Sequence, residues 1–176
     1  MVIATGASLL EIRILTADDA EEYRTLRLRA LREEPEAFGS SWEEENARPL
    51  ELTIVRLVAD GMTAFGGFDD AGRLAGMVRL RRQDGVKAEH KADILGMYVA
   101  PEVRGRGLGR MLLDAAITQA RATPGIEQLM LAVNATNLPA RNLYLALGFE
   151  PFGREPRALK ISERYFDEDY MALFLS

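Results

Sequence analysis

Three glycines interleaved with three arginines, in Val103-Arg104-Gly105-Arg106-Gly107-Leu108-Gly109-Arg110, are the residues of this chain best suited to holding an anion. Glycine at 105, 107 and 109 removes the Cβ atoms that keep a phosphate away from the backbone, so bare N–H groups can face a ligand. A helix opening near Leu108 adds its own unbonded N–H groups and the positive end of its dipole. Arg104, Arg106 and Arg110 bring whole charges to the same place, with at least one of them expected to be a solvated side chain. The chemistry predicted for this turn is the cradling of a pyrophosphate.

A second group lies downstream. Asn137 and Tyr144 stand seven residues apart, two helical turns, so a helix there sets both on nearly one face, where they can serve one ligand. Ala140, Leu143, Tyr144 and Leu147 also make an i, i+3, i+4, i+7 stripe, so a core role for Tyr144 fits the same spacing. Asn137 fits a helix N-cap as well, with Pro139 in the first turn.

The elements that must position these groups can be read from pattern. Ala92 to Val99 is a short apolar run closed by Ala100-Pro101-Glu102, a mostly buried strand ending in a turn. Leu108, Met111, Leu112, Ala115 and Ala116 then recur at helical spacing up to Thr123-Pro124-Gly125, giving a helix with a broad apolar face for a sheet. Leu129 to Val133 reads as the next strand. Other nucleotide motifs are missing: there is no Gly-x-x-x-x-Gly-Lys-Ser/Thr, and Arg110 spoils the Gly-x-Gly-x-x-Gly spacing of a dinucleotide fold.

Arg104-Gly105-Arg106-Gly107-Leu108-Gly109 resembles the Gln/Arg-x-x-Gly-x-Gly/Ala signature of the GNAT superfamily of acetyl-CoA-dependent N-acetyltransferases. Asn137 to Tyr144 resembles that family's Asn-x-x-Ala-x-x-x-Tyr segment, followed by Leu147-Gly148-Phe149, and the likeness covers residues 92 to 152 best. The resemblance implies an α/β fold with a central mixed β-sheet flanked by helices, in which two neighbouring strands splay apart. The pantetheine arm lies in that split, paired with backbone groups of Met97, Tyr98 and Val99, a form of β-augmentation. Gly96 fits a bulge that aims those groups outward, or a tight packing point. By the same resemblance, Gly105, Gly107, Leu108 and Gly109 with the arginines hold the diphosphate, Asn137 holds the cofactor arm, and Tyr144 is the general acid for the departing thiolate. Acetyl-CoA is then a co-substrate and no metal is involved.

Acetylating an amine requires removing a proton, since an alkylammonium with pKa near ~10.4 is neutral less than about once in a thousand at pH 7. Lowering that pKa by three units takes about 4 kcal/mol of differential interaction. Candidate bases are Glu43, Glu44, Glu45, Glu89 and Asp93. In the ribosomal-protein alanine acetyltransferase branch the base is a glutamate five residues before the motif asparagine, a position held here by Ala132. The base must lie elsewhere, or the chain is an acyl-CoA-binding regulatory module without catalysis. Among acceptors, a small-molecule amine or amino acid leads, with a protein amino group as the alternative. Phe38 and Trp42 fit either an acceptor pocket or the core.

Composition sets the outer bounds. At 176 residues, with 48% apolar and 28% charged residues, the chain reads as one domain, 1–176, with a full core. No cysteine and a single His90 leave no thiol nucleophile, thiolate metal site or histidine triad. With 22 basic against 27 acidic residues and a net charge of −5, nucleic-acid binding is not expected. Met1 to Leu10 lacks the features of a signal peptide and no stretch approaches a membrane span, so the expected location is cytoplasmic. Pairing through the carboxy-terminal strands is frequent in the family, which leaves a homodimer open.

Elsewhere, Glu11 to Leu15 reads as an edge strand and Thr16 to Asp19 as a cap for a helix ending at Pro35. Ser40 or Ser41 caps a helix to Ala47, and Leu50 to Ala59 is ambiguous apolar sequence assigned to helix. Thr63 to Phe68 and Arg73 to Arg82 form a hairpin about Asp69 to Gly72. Glu155 to Ile161 and Tyr170 to Leu175 are expected as final strands joined by a loop at 162–167. The expected order is β-α-α-β-β-β-α-β-α-β-β.

Overall fold

The computed structural model describes residues 10–175, so the amino-terminal reading of residues 1–9 lies outside them. Seven strands form one mixed sheet: β1 (Glu11–Ile14), β2 (Met62–Phe68), β3 (Leu74–Arg82), β4 (Lys91–Val99), β5 (Gln128–Asn134), β6 (Glu150–Ile161) and β7 (Arg164–Phe174). Their order across the sheet is β1-β2-β3-β4-β5-β7-β6. Five helices flank it: α1 (Ala20–Glu33), α2 (Trp42–Ala47), α3 (Leu50–Leu57), α4 (Leu108–Ala122) and α5 (Leu138–Ala146). This is the α/β mixed sheet flanked by helices that the sequence predicts.

Two departures have local causes. Between β1 and β2 the expected order counts two helices, but the segments read to Pro35, to Ala47 and over Leu50 to Ala59 are three α-helices, because Arg48 and Pro49 are extended and separate α2 from α3. The last hairpin is longer than expected: β7 begins at Arg164 and the turn is only Ser162-Glu163, with Ser162 at φ +53°. Tyr165 and Phe166 therefore lie on a strand. β6 is exposed over most of its length at the sheet edge, so it carries none of the apolar alternation by which a half-buried strand is recognised.

α4 packs through Leu108, Leu112, Leu113 and Ala116, all fully buried. It comes close because β2 and β3 offer glycine there. A Cβ at Gly67 would stand 2.7 Å from Leu108, and one at Gly76 2.9 Å from Leu112. On the other face α1 buries Tyr23, Leu26, Ala30 and Leu31.

The feature that makes a site is the meeting of β4 and β5. They run parallel and pair only at Lys91↔Gln128, Ala92↔Leu129 and Asp93↔Met130, after which the strands diverge. On the far side of β4, the register with β3 slips between Met77↔Tyr98 and Arg79↔Leu95. Two residues, Gly96 and Met97, oppose Val78 there, and Gly96 sits at φ +61°, the left-handed conformation glycine adopts at least cost. The bulge expected at Gly96 is present.

The start of α1 is pinned by Asp19, which accepts from both terminal nitrogens of Arg13 at 2.7 and 2.8 Å and from the Thr16 N–H at 2.7 Å. These bonds hold its carboxyl down at about 2, with the Arg13 bond the largest cause. A depressed carboxyl pKa stabilises the fold above its unfolded value and loses that contribution as pH falls through the folded one. Thermal melts should lose stability between about pH 4 and 2. Asp19→Asn should flatten that part of the profile; an unchanged acid slope in the variant would show that Asp19 contributes nothing to it.

Candidate active site

The divergence of β4 and β5 opens a cleft of about 720 Å³ whose walls include Gly96 to Val99, Ala132 to Asn134, the glycine turn and one side of α5. The amide of Ala100 donates to Ala75 on β3 at 2.8 Å. Backbone groups alternate direction along a strand, so the N–H of Val99 faces the split, where β5 no longer pairs with it. The Val99 carbonyl is held by Arg104 Nε at 2.8 Å.

At the mouth of the cleft the glycine turn leads into α4, which begins at Leu108 as expected. Gly105 and Gly107 lie at φ +74° and +86°, and Gly107 caps α4. The N–H groups of residues 105 to 110 have no acceptor among the described residues, and the first helical bond nearby is Met111 N–H to the Gly107 carbonyl. Gly105, Arg106 and Gly107 are exposed. A Cβ at Gly105 or Gly107 would meet nothing within 4 Å, whereas one at Gly109 would press on Met97 at 3.2 Å. The first two glycines thus serve backbone conformation and an open face, and the third serves packing. These six amides without acceptors stand at a helix start, where unbonded N–H groups and the helix dipole suit an anion.

The arginines divide. Arg110 lines the cleft, 3.6 Å from Asp114. Arg104 also lines it, but its guanidinium is engaged by Glu34 at 2.5 Å as well as by Val99. Arg106 turns away to Asp70 at 2.6 Å and is not part of the wall. Leu108 is buried beneath the turn and Met97 borders the split. The Tyr98 ring points to the α1 face, where its hydroxyl donates to Glu33 at 2.5 Å.

On α5, Asn137 is the N-cap, its Oδ1 accepting from the Ala140 N–H at 3.2 Å. That leaves its Nδ2 to the cleft. Two turns on, Tyr144 is buried at 6% exposure with its ring edge-on to Phe149, centroids 5.8 Å apart. Its hydroxyl has no hydrogen-bond partner among the described residues, and burial pushes its pKa up. The Tyr144 ring packs as a core residue and also lines the cleft wall.

None of the carboxylates singled out from sequence reaches the wall. Glu44 completes a capping box with Ser41, Glu45 pairs with Arg48, Asp93 bonds Arg81 and Gln83, and Glu43 and Glu89 are exposed. The acidic wall residues are Glu34 and Glu36, in the turn after α1. Glu34 is neutralised by Arg104, and the Glu36 carboxylate has no partner among the described residues. Asn134 ties that turn to β5, donating to the Glu36 carbonyl at 3.2 Å. Phe38 and Trp42 are not in the wall; Arg27 stacks on the first and Arg32 on the second.

The profile of the acetyltransferase (GNAT) family matches residues 24–149. The chain belongs to the GNAT acetyltransferase family. An L-methionine sulfoximine/L-methionine sulfone acetyltransferase of Pseudomonas paraeruginosa is 37% identical over 79 residues, 45% of each chain. A mycothiol acetyltransferase of Beutenbergia cavernae is 32% identical over 146 residues, which are 80% of this chain and 45% of that one. This GNAT chain thus spans about half the length of the curated relatives it matches. A GNAT-family acetyltransferase from Streptococcus pneumoniae superposes with a TM-score of 0.79 at 25% identity, covering 94% of this chain and 99% of that one. Among the described residues, no helix of this GNAT chain is long and apolar enough to cross a membrane.

Proposed function

We propose that this chain transfers the acetyl group of acetyl-CoA directly to the primary amine of a small molecule or amino acid. The observation that carries the reading is the split between β4 and β5, with acceptor-free amides 105–110 at its mouth and Tyr144 in its wall. The two relatives described above are named as enzymes acting on small molecules, which supports the acceptor class.

The residues fit the co-substrate. The amides of 105 to 110 and Arg110 would hold a diphosphate, Met97 to Val99 would offer backbone groups to the pantetheine amides, and Asn137 Nδ2 would take a carbonyl of the arm. Bound acetyl-CoA supplies a thioester carbonyl, activated toward an amine. The Val99 N–H faces the split, where it can steady negative charge on that carbonyl oxygen. Glu36, the wall carboxylate without a counter-ion, takes a proton from the acceptor's ammonium, and the neutral amine that results attacks the thioester carbon. Tyr144 keeps its own proton because burial raises its pKa, gives it to the departing sulfur, and is reset by the second proton that the nitrogen loses as the amide forms. Ala132 stands in the wall where the related branch has its glutamate, and Glu36, in the turn that Asn134 ties to β5, serves in its place.

The reading is tested by thiol release from acetyl-CoA over a panel of amines, together with calorimetric binding of acetyl-CoA. In Gly107→Ala, a Cβ at φ +86° costs about 1 kcal/mol of stability and projects into open space on the protein side. Acetyl-CoA affinity should fall about tenfold or more, since the Cβ occupies the place of the diphosphate. Unchanged affinity would remove the turn from binding. Tight binding with no thiol release for any amine would leave a binding module.

A further inference from the structure

On the α1 side of β4, immediately behind Gly96, two guanidinium groups meet. An ideal Cβ on Gly96 would stand 3.5 Å from Arg79 Nε and 3.6 Å from Arg27 Nη1. Both of those nitrogens are buried and have no hydrogen-bond partner, and neither side chain makes an ion pair among the described residues. Arg27 is only 6% exposed, its guanidinium carbon over the Phe38 ring, 4.5 Å from the ring centre. Burial and the neighbouring Arg79 both weaken its hold on a proton.

A buried charge without a counter-ion is among the costliest features a fold can keep. The surroundings do not supply the missing charge. A small cavity beside the pair, about 20 Å³ and sharing no lining residue with the cleft, is lined by Arg27, Arg79, Arg48, Arg56 and one carboxylate, Glu45, with Tyr23, Thr53 and Leu57. That carboxylate is already bonded by Arg48 and lies 3.9 Å from Arg56. A chain with net charge −5 has therefore gathered four guanidinium groups around one engaged acid.

We propose that Arg27 and Arg79 bind the carboxylate of the acceptor, which is therefore an α-amino-acid-type molecule carrying its carboxylate beside the reacting amine. This rests on the transferase reading above. Gly96 belongs to the wall of the β4–β5 cleft and, having no side chain, leaves the guanidinium pair as the next layer behind it. A carboxylate lodged there keeps the attached amine at the split. The cavity is small, about 20 Å³, and a carboxylate presents two oxygens in one plane. Guanidinium donors match that planar, two-oxygen shape.

The test compares free L-amino acids, L-methionine sulfone included, with their carboxamides, in thiol release and in ligand-induced shifts of melting temperature. The wild type should favour acid over amide by about ten- to a hundredfold in kcat/KM, the worth of charged hydrogen bonds. Arg79→Gln should bring the acid down to the level of its amide, mainly through KM, and Arg79→Lys should restore part of the preference. Arg27→Met replaces an uncompensated charge by an apolar chain of similar length. It should hold or raise the melting temperature of the unliganded protein while erasing the preference; a lowered melting temperature would make Arg27 structural and count against the site. Equal use of acids and amides by the wild type, or a preference that survives Arg79→Gln, overturns the proposal. If no compound releases thiol, the transferase reading falls. The carboxylate site then stands if acids and not amides shift the wild-type melting temperature and Arg79→Gln cancels the shift, and it falls with that reading otherwise.

Discussion

Tyr144→Phe lowers kcat by about a hundred- to ten-thousandfold with KM for acetyl-CoA unchanged, the size of effect that loss of a positioned general acid produces. The substitution removes one oxygen and nothing else. The ring keeps its edge contact with Phe149, and the hydroxyl has no partner among the described residues, so stability should not change. Because burial raises the phenol pKa, the donor is present through neutral and mildly alkaline pH, and the defect should be constant across that range. Steady-state kinetics beside a thermal melt decide the matter. A variant with wild-type kcat takes Tyr144 out of the chemistry, and one that unfolds many degrees lower makes it a structural residue.

Glu36→Gln lowers kcat/KM at pH 7 by a comparable factor of about a hundred or more, but its defect shrinks as pH rises. Without a base, turnover depends on the small neutral fraction of the amine. That fraction grows tenfold per pH unit below a pKa near ~10.4. The variant's profile should climb with unit slope from pH 7 toward 10 and approach the wild type, where the enzyme's own carboxylate is no longer needed. Tyr144 stays protonated over the same interval, so its titration does not mask the recovery. A defect independent of pH would assign Glu36 a part in binding, and no defect would pass the proton to water.

The glycine turn and the asparagine-to-tyrosine segment could be read from the chain because both are local. Positive φ at Gly105 and Gly107, the cap at Asn137 and the two-turn spacing to Tyr144 are set by a few consecutive residues. The element order followed from apolar periodicity wherever an element has a buried face, as in α4. That periodicity fades on β6, whose side chains mostly meet water, so the strand runs longer than its apolar pattern shows.

Glu36 and the Arg27–Arg79 pair had no such signal. Glu36 stands next to the cleft only because Asn134, 98 positions later, bonds its carbonyl. Arg27 and Arg79 come together because a helix crosses a strand 52 residues away, and in sequence each is one arginine among many. The acidic run 43–45 is dense in charge, yet two of its members serve caps and ion pairs within α2 and its flank. Turn chemistry is written in neighbours; charge chemistry depended on which distant segments came together.

Only three pairs of residues hold β4 against β5, so the sheet is nearly two sheets joined at one end. Whatever bridges both lips of the gap supplies the missing cross-strand bonds, and by mass action the chain then resists unfolding in proportion to the logarithm of that ligand's concentration. Proteases act on the opened form, so the half-life of the protein in a cell becomes a gauge of how well it is supplied with its own reactants.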